Sequence, residues 1–395
     1  MGIDAGTADQ KRPQVQISWL SIALVTALLL AAATLQVNWR EGVLVLVGLA
    51  MGVALYKASF GFTAAYRKFF IDRDTSGLVA QSIMLVAAMI FFAPFLAAGE
   101  AFERPVSGAV APVSVSMAFG AFLFGIGMQA GAGCASGTLF SVGSGRIYAS
   151  VTLLFFCLGG FWGSLDLHWW VTLPSMGAMS IGEHLGFINA VALQISVLGI
   201  LFICLRIFGY RAETVWSTDA TKALLSWRGL IFGAWPLVFS GVLLAILNWL
   251  TLIIAGHTWS ITWGFALWTA KVFALFGWDP NSSLFWSGEF QQQALSQSLL
   301  NDTTSVMNLA IILGALMAAA IAGRIRWRAP FEGRRLALAI GGGLAMGYGA
   351  RLAYGCNIGA FFSGIASTSL HGWVWIACAL PGNWLGIRIT KWFKS

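Results

Sequence analysis

Charge is what this sequence has least of. Of its 395 residues, 10% are Asp, Glu, Lys or Arg, against 58% hydrophobic. A soluble domain carries about a quarter charged residues. Too few are present to cover a water-exposed surface, which excludes the ordinary globular class. A cysteine framework is also missing. The five cysteines are irregularly spaced and form no Cys-x-x-Cys pair, which excludes a disulfide scaffold and a structural zinc site. The four histidines, His168, His184, His257 and His371, are scattered and suggest neither a metal nor a proton relay. Asp and Glu are scarce inside the apolar stretches, which argues against a chain of proton carriers. No phosphate loop or nucleophilic triad is present. The expectation is a protein that is not an enzyme and needs no cofactor.

What the chain has is apolar runs. About 20 apolar residues cross a bilayer core. Candidate spans are 19–37, 42–56, 77–98, 113–132, 147–165, 186–206, 229–254, 305–323, 336–355 and 372–387. A further segment, 259–276, is apolar but carries Lys271, and is expected to dip in and return. The first run follows a polar tail with Lys11 and Arg12. It could be a signal peptide, but the run is long enough to span and the tail is long for a signal, so a first membrane helix is preferred. Nineteen tryptophans suit the membrane interface.

The net charge of +8 fits cytoplasmic loops rather than nucleic-acid binding. Lys57, Arg67, Lys68 and Arg73 fall in one loop; Arg206, Arg211, Lys222 and Arg228 in another. Arg324, Arg326, Arg328, Arg334 and Arg335 crowd a third, and Arg388, Lys391 and Lys394 end the chain. The intervening loops are acidic or neutral, with Glu100, Glu103, Asp166, Glu183, Asp279, Glu289 and Asp302. Placing the basic loops inside gives ten crossings with both termini cytoplasmic. The expected fold is an all-α, polytopic helical bundle. Its parts are a cytoplasmic tail 1–18, a first membrane repeat 19–206, a cytoplasmic linker 207–228 and a second membrane repeat 229–395.

The repeat rests on two stretches, GAGCASG at 131–137 and AYGCNIG at 353–359. With Cys134 laid over Cys356, Gly120, Gly125, Gly127, Gly133, Gly137, Phe140 and Ser141 fall on Gly342, Gly347, Gly349, Gly355, Gly359, Phe362 and Ser363. Upstream, Gly61, Phe62, Lys68 and Phe70 correspond to Gly264, Phe265, Lys271 and Phe273. By the charge assignment the paired segments enter from opposite faces, which makes this an inverted-topology repeat. The simpler account is that small residues only let helices pack closely. A thiol at the same place in both copies favours a functional role.

Glycine beside cysteine lets the backbone bend and approach a ligand. A helix broken at membrane depth leaves N–H groups free, tolerable only when buried in protein or facing a cavity. Those groups, with the positive end of a half-helix, attract an anion. The thiol is a weak donor and its sulfur is soft and polarisable, which suits a sulfur-bearing anion held weakly enough to leave again. Candidate path residues are therefore Cys134, Gly133, Gly137, Cys356, Gly355 and Gly359. Ser141, Ser363 and Asn357 are candidate neutral donors, and Arg351 a source of positive charge at the outer mouth, unless it only snorkels to the interface. Cys157, Cys204 and Cys378 read as packing residues, and Lys68 and Lys271 as interface anchors.

The stretches 125–145, 347–366 and 57–70 resemble the YeeE/YedE sulfur-transport family of bacterial membrane proteins. The resemblance covers most of the chain. It implies an inverted-repeat fold in the inner membrane, moving thiosulfate inward along a short line of thiols through a central constriction. Cys134 and Cys356 match two of those thiols. The third family thiol falls in Ser59-Phe60-Gly61-Phe62, where glycine stands instead, so another sulfur anion or a selenium species is an alternative cargo. The resemblance also implies a small cytosolic sulfur-carrier protein as a partner. Two other classes remain open at this point: a membrane redox protein acting on thiols or quinones, and a non-transporting scaffold.

Overall fold

The structure is a computed structural model that describes residues 14–212, 226–327 and 330–393. The expected linker 207–228 and tail 1–18 fall largely outside the described residues. Helices α1 (Ile17–Val37), α2 (Trp39–Lys57), α3 (Phe62–Asp72) and α4 (Ser76–Ala98) lead to a short hairpin of β1 (Glu100–Ala101) and β2 (Arg104–Pro105). Strand β3 (Pro112–Ser114) and helices α5 (Val115–Ala130), α6 (Ala135–Gly143) and α7 (Ile147–Trp170) follow. Next come β4 (Ser175–Ala178), α8 (Ile181–Leu185) and α9 (Phe187–Ile207). Past the undescribed stretch lie α10 (Trp227–Phe232), α11 (Leu237–Ala255), α12 (Thr262–Leu275), α13 (Glu289–Ser296) and α14 (Thr303–Ile321). The chain ends with α15 (Gly333–Leu352), a π-turn (Asn357–Phe362), α16 (Ser363–Ala366) and α17 (Leu370–Trp392). The strands only close loops: β1 pairs with β2, and β3 with β4, both antiparallel.

Among the described residues, nine helical segments are long and apolar enough to cross a membrane. This is a multi-pass helical membrane protein. Three of the nine are composite: 39–72, 115–143 and 333–366 each run through a break. The expected span 229–254 is shorter than read, because α10 ends at Gly233 and Pro236 precedes α11. Proline has no N–H to continue the helical ladder, so it suits the start of a new helix. The expected span 372–387 forms inside α17 but is not among the nine. Its polar residues His371 and Asn383 are buried in the protein rather than set against lipid. The segment expected at 259–276 is α12, which begins buried at Gly264 and Phe265 and ends with Leu275 and Phe276 both 85% exposed.

The flanks and the centre differ in burial. In α1 and α9 only 17% and 11% of the most apolar stretch is buried in the protein, so their Leu, Ile and Val side chains are left for lipid. The centre is one apolar cluster that includes Phe62, Tyr66, Phe124, Phe156, Phe265 and Phe362. Around it α15 packs on α7 and α5, and α5 on α17 and α15, while α2 packs on α14 and α11 on α4. Each of these contacts joins a helix of residues 19–206 to a helix of residues 229–395. Both thiol segments lie in this centre, at the ends of α5 and α15.

Candidate functional site: two broken helices and their thiols

The two breaks are made the same way. Helix α5 ends with Gly131 N–H donating to Gly127 O at 2.8 Å and Gly133 N–H to Met128 O at 3.1 Å. Between them Ala132 is left-handed, with φ +57°. Helix α15 ends with Ala353 N–H donating to Gly349 O and Gly355 N–H to Ala350 O, both at 2.9 Å, and Tyr354 again at φ +57°. This pattern satisfies the last carbonyls of a helix and reverses the chain. Glycine usually holds the left-handed position; here Ala132 and Tyr354 hold it. Gly355 itself has φ +148°, and a Cβ there would lie 2.8 Å from Ala360 N.

Each break then starts a new helical segment at its cysteine. Cys134 is the N-cap of α6, its sulfur accepting from Gly137 N–H at 3.4 Å. Ser136 Oγ lies 3.4 Å from the same sulfur, and the Phe62 amide at the start of α3 also faces it. Cys356 caps the π-turn, accepting from Ile358 N–H at 3.4 Å, with the Gly359 amide beside it. Both thiols are free and fully buried. Helix α6, which Cys134 caps, packs against the π-turn, which Cys356 caps. The structure therefore brings together the two GC segments that sequence separates by more than half the chain. Glycine at 137 keeps the sulfur open on one side, since a Cβ there would lie 3.4 Å from it. Gly359 has similar room, its nearest neighbour being Ser260 Oγ at 3.7 Å.

The neutral donors are placed differently from one another. Asn357 is fully buried and donates Nδ2–H to Tyr66 Oη at 3.2 Å. Its Oδ1 has no partner among the described residues. Ser363 donates to Trp259 O at 3.0 Å and accepts from Asn248 Nδ2 at 3.1 Å, while Asn248 Oδ1 accepts from Trp259 N–H at 2.8 Å. Its hydroxyl thus pins the 256–261 connection beside the break. Ser141 lines a cavity below α6 instead. Tyr66 and Asn248 were not singled out from sequence; a lone amide in the apolar run of α11 is the signal that marks Asn248.

Positions 129 and 351 correspond in the overlay, and they differ. Arg351 sits near the end of α15, its guanidinium carbon 4.1 Å from the centre of the Phe285 ring, and its Nε is buried with no hydrogen-bond partner among the described residues. Gln129 is fully buried and bridges three elements. It donates to Thr63 O at 3.1 Å and Asn383 Oδ1 at 2.8 Å, and accepts from Arg67 Nε at 3.0 Å. A buried amide so fully satisfied rigidifies its surroundings. A guanidinium thus reaches the first thiol segment through Gln129, whereas Arg351, on the helix that leads into the second, is set against Phe285.

Against known proteins, the Sulphur transport family model matches residues 57–385. The thiosulfate transporter TsuA of Spirochaeta thermophila is 28% identical over 359 residues, covering 86% of this chain and 96% of its own. The probable transporter YedE of Escherichia coli is 37% identical over 137 residues, 35% of this chain and 33% of its own length. The TsuA of Escherichia coli is 23% identical over 365 residues, covering 85% and 91%. The matched region contains both breaks, both buried thiols and the helices packed around them, and on that ground the chain belongs to the Sulphur transport family.

Proposed function

We propose that this protein carries a small sulfur-containing anion, thiosulfate foremost, inward across a bacterial inner membrane. The path runs between Cys134 and Cys356. The observation that supports it is the pair of free, buried thiols capping two helical segments that meet at the centre. Each sulfur gathers backbone N–H groups, and a buried cluster of such donors suits an anion. A thiol adds a weak, polarisable contact, so the ion is held without being trapped. The ion passes from the neighbourhood of one S–H to the other without a covalent bond, so no leaving group or oxidant is required. Arg351 draws the ion toward the outer break, and Asn357 offers Nδ2–H beside Cys356.

Two inverted repeats, 19–206 and 229–395, frame this path in our reading. The exchange of packing partners between halves supports it, as does the matched pair of helix endings. The test is uptake of radiolabelled thiosulfate, with sulfate as control, in cells lacking their own sulfur transporters. Thiosulfate enters with the native chain, and uptake falls to background with Cys134→Ala or Cys356→Ala. Uptake that survives both changes together sinks the thiol path.

A further inference from the structure

Two cavities open at the end of the molecule that carries the basic loops, and they share a wall. One, of about 600 Å³, is lined by Lys57, Arg146, Arg324 and Arg326. The other, of about 390 Å³, is lined by Arg67, Arg146, Arg326 and Arg335, and reaches Gln129 and Ala132 at the first break. Among the described residues, no carboxylate lines either cavity. Arg335 pairs with Glu332, and Arg67 is bonded to Gln129. Arg146, Arg324 and Arg326 pair with no carboxylate among the described residues.

The backbone sets the two shared arginines side by side. Gly145 turns with φ +82°, and a Cβ on it would lie 3.0 Å from Ile325 Cγ2 and 3.2 Å from Arg326 N. The Gly145–Arg146 turn therefore sits directly on the Ile325–Arg326 backbone. Helix α7, of 24 residues, starts here with Arg146 as its N-cap, and no side chain caps its first amides. Its positive end adds to the field of the guanidiniums. Positive loops alone explain basic residues at a membrane surface. They do not require two cavities that share two arginines fixed by a close backbone contact and have no carboxylate among their described lining residues.

We propose that these cavities form an anion-holding vestibule, in which Arg146 and Arg326 bind a small divalent oxyanion of the size of sulfate or thiosulfate. Its place next to Ala132 and Ser141 makes it the site an ion occupies after leaving Cys134. That role rests on the transport reading; the binding itself does not. Guanidinium pairs with such oxyanions by short, charge-assisted bonds, and the ion would be exchangeable because the cavities are open to solvent.

The experiment is calorimetric titration of the purified full-length chain in phosphatidylcholine nanodiscs with thiosulfate and, separately, sulfate. Arg146→Gln with Arg326→Gln weakens binding by about tenfold or more, and Cys134→Ala with Cys356→Ala leaves it in place. Arg146→Lys with Arg326→Lys, which keeps the charge, retains part of the affinity and separates lost binding from lost folding. Unchanged binding in the double Gln variant overturns the proposal, and so does binding abolished only by the Cys changes. A phosphate-bearing lipid headgroup shares this chemistry, so the titration is repeated with phosphatidylglycerol. If that lipid displaces the ion completely, the cavity is a lipid site and the vestibule is overturned. If arginine-dependent binding is found in a chain that takes up no thiosulfate, the vestibule stands and the transport reading falls.

Discussion

At the scale of the residue, Gly61 is the most informative departure. It precedes Phe62, whose amide faces the Cys134 sulfur. A Cβ on Gly61 would meet nothing closer than Ser59 O at 3.7 Å, and the backbone φ of −122° is open to any residue. Gly61→Cys therefore fits without displacing a neighbour. In the transport reading it adds a third thiol beside the first break, and we expect faster thiosulfate uptake at unchanged protein level. Radiotracer uptake normalised to membrane protein checks this; slower uptake would mean that glycine is itself needed there. Sequence pointed to both cysteines because identical neighbours surround them. It did not reveal that Ser141 and Ser363, matched in the overlay, do different work. Ser363 is engaged by Asn248 and Trp259 O, whereas Ser141 faces a cavity. Those partners come from elements over a hundred residues away, and no local pattern encodes them.

At the scale of the element, glycine decides how closely the central helices approach. In α15, a Cβ on Gly347 would lie 2.2 Å from Phe156 O and 2.5 Å from Gly160 N on α7. Both are backbone atoms, so the helices must separate. Six residues earlier on the same helix, a Cβ on Gly341 would meet nothing within 4 Å. Gly347→Ala should destabilise by about 1–3 kcal/mol through overpacking. Gly341→Ala should be neutral or stabilising by up to about 1 kcal/mol, from helix propensity. Thermal unfolding of the two variants in the same detergent tests this; a similar loss in both would show that close approach is not what Gly347 provides. Most spans were legible because 20 apolar residues are a direct signature of bilayer crossing. Apolarity falls where burial is in protein. Helix α17 keeps His371 and Asn383 inside the bundle, so its sequence is less apolar than that of a lipid-facing span. The start of α11 was misplaced because apolar residues continue across Gly233 and Pro236.

At the scale of the whole molecule, the two ends differ in charge. One end gathers Lys57, Arg146, Arg324 and Arg326 around its cavity. The other presents Asp166 near the end of α7, Glu183 in α8, Asp279 before a short turn and Glu289 at the start of α13, with Arg351 set against Phe285. Lys and Arg are retained on the cytoplasmic side during insertion, so the basic end should face inward. That orientation also gives the proposed path its direction: Arg351 toward the entrance, then the thiols, then a wider basic vestibule. Two exposed positions report it, Glu289 in α13 and Lys391 near the end of α17. Because Cys204 is exposed on α9, the background should be Cys204→Ser. In intact cells, a membrane-impermeant maleimide should label Glu289→Cys and leave Lys391→Cys untouched until the membrane is permeabilised. Reversed labelling would put the basic cavities on the outside, where they would concentrate the anion before the thiols, and the path would have to run the other way.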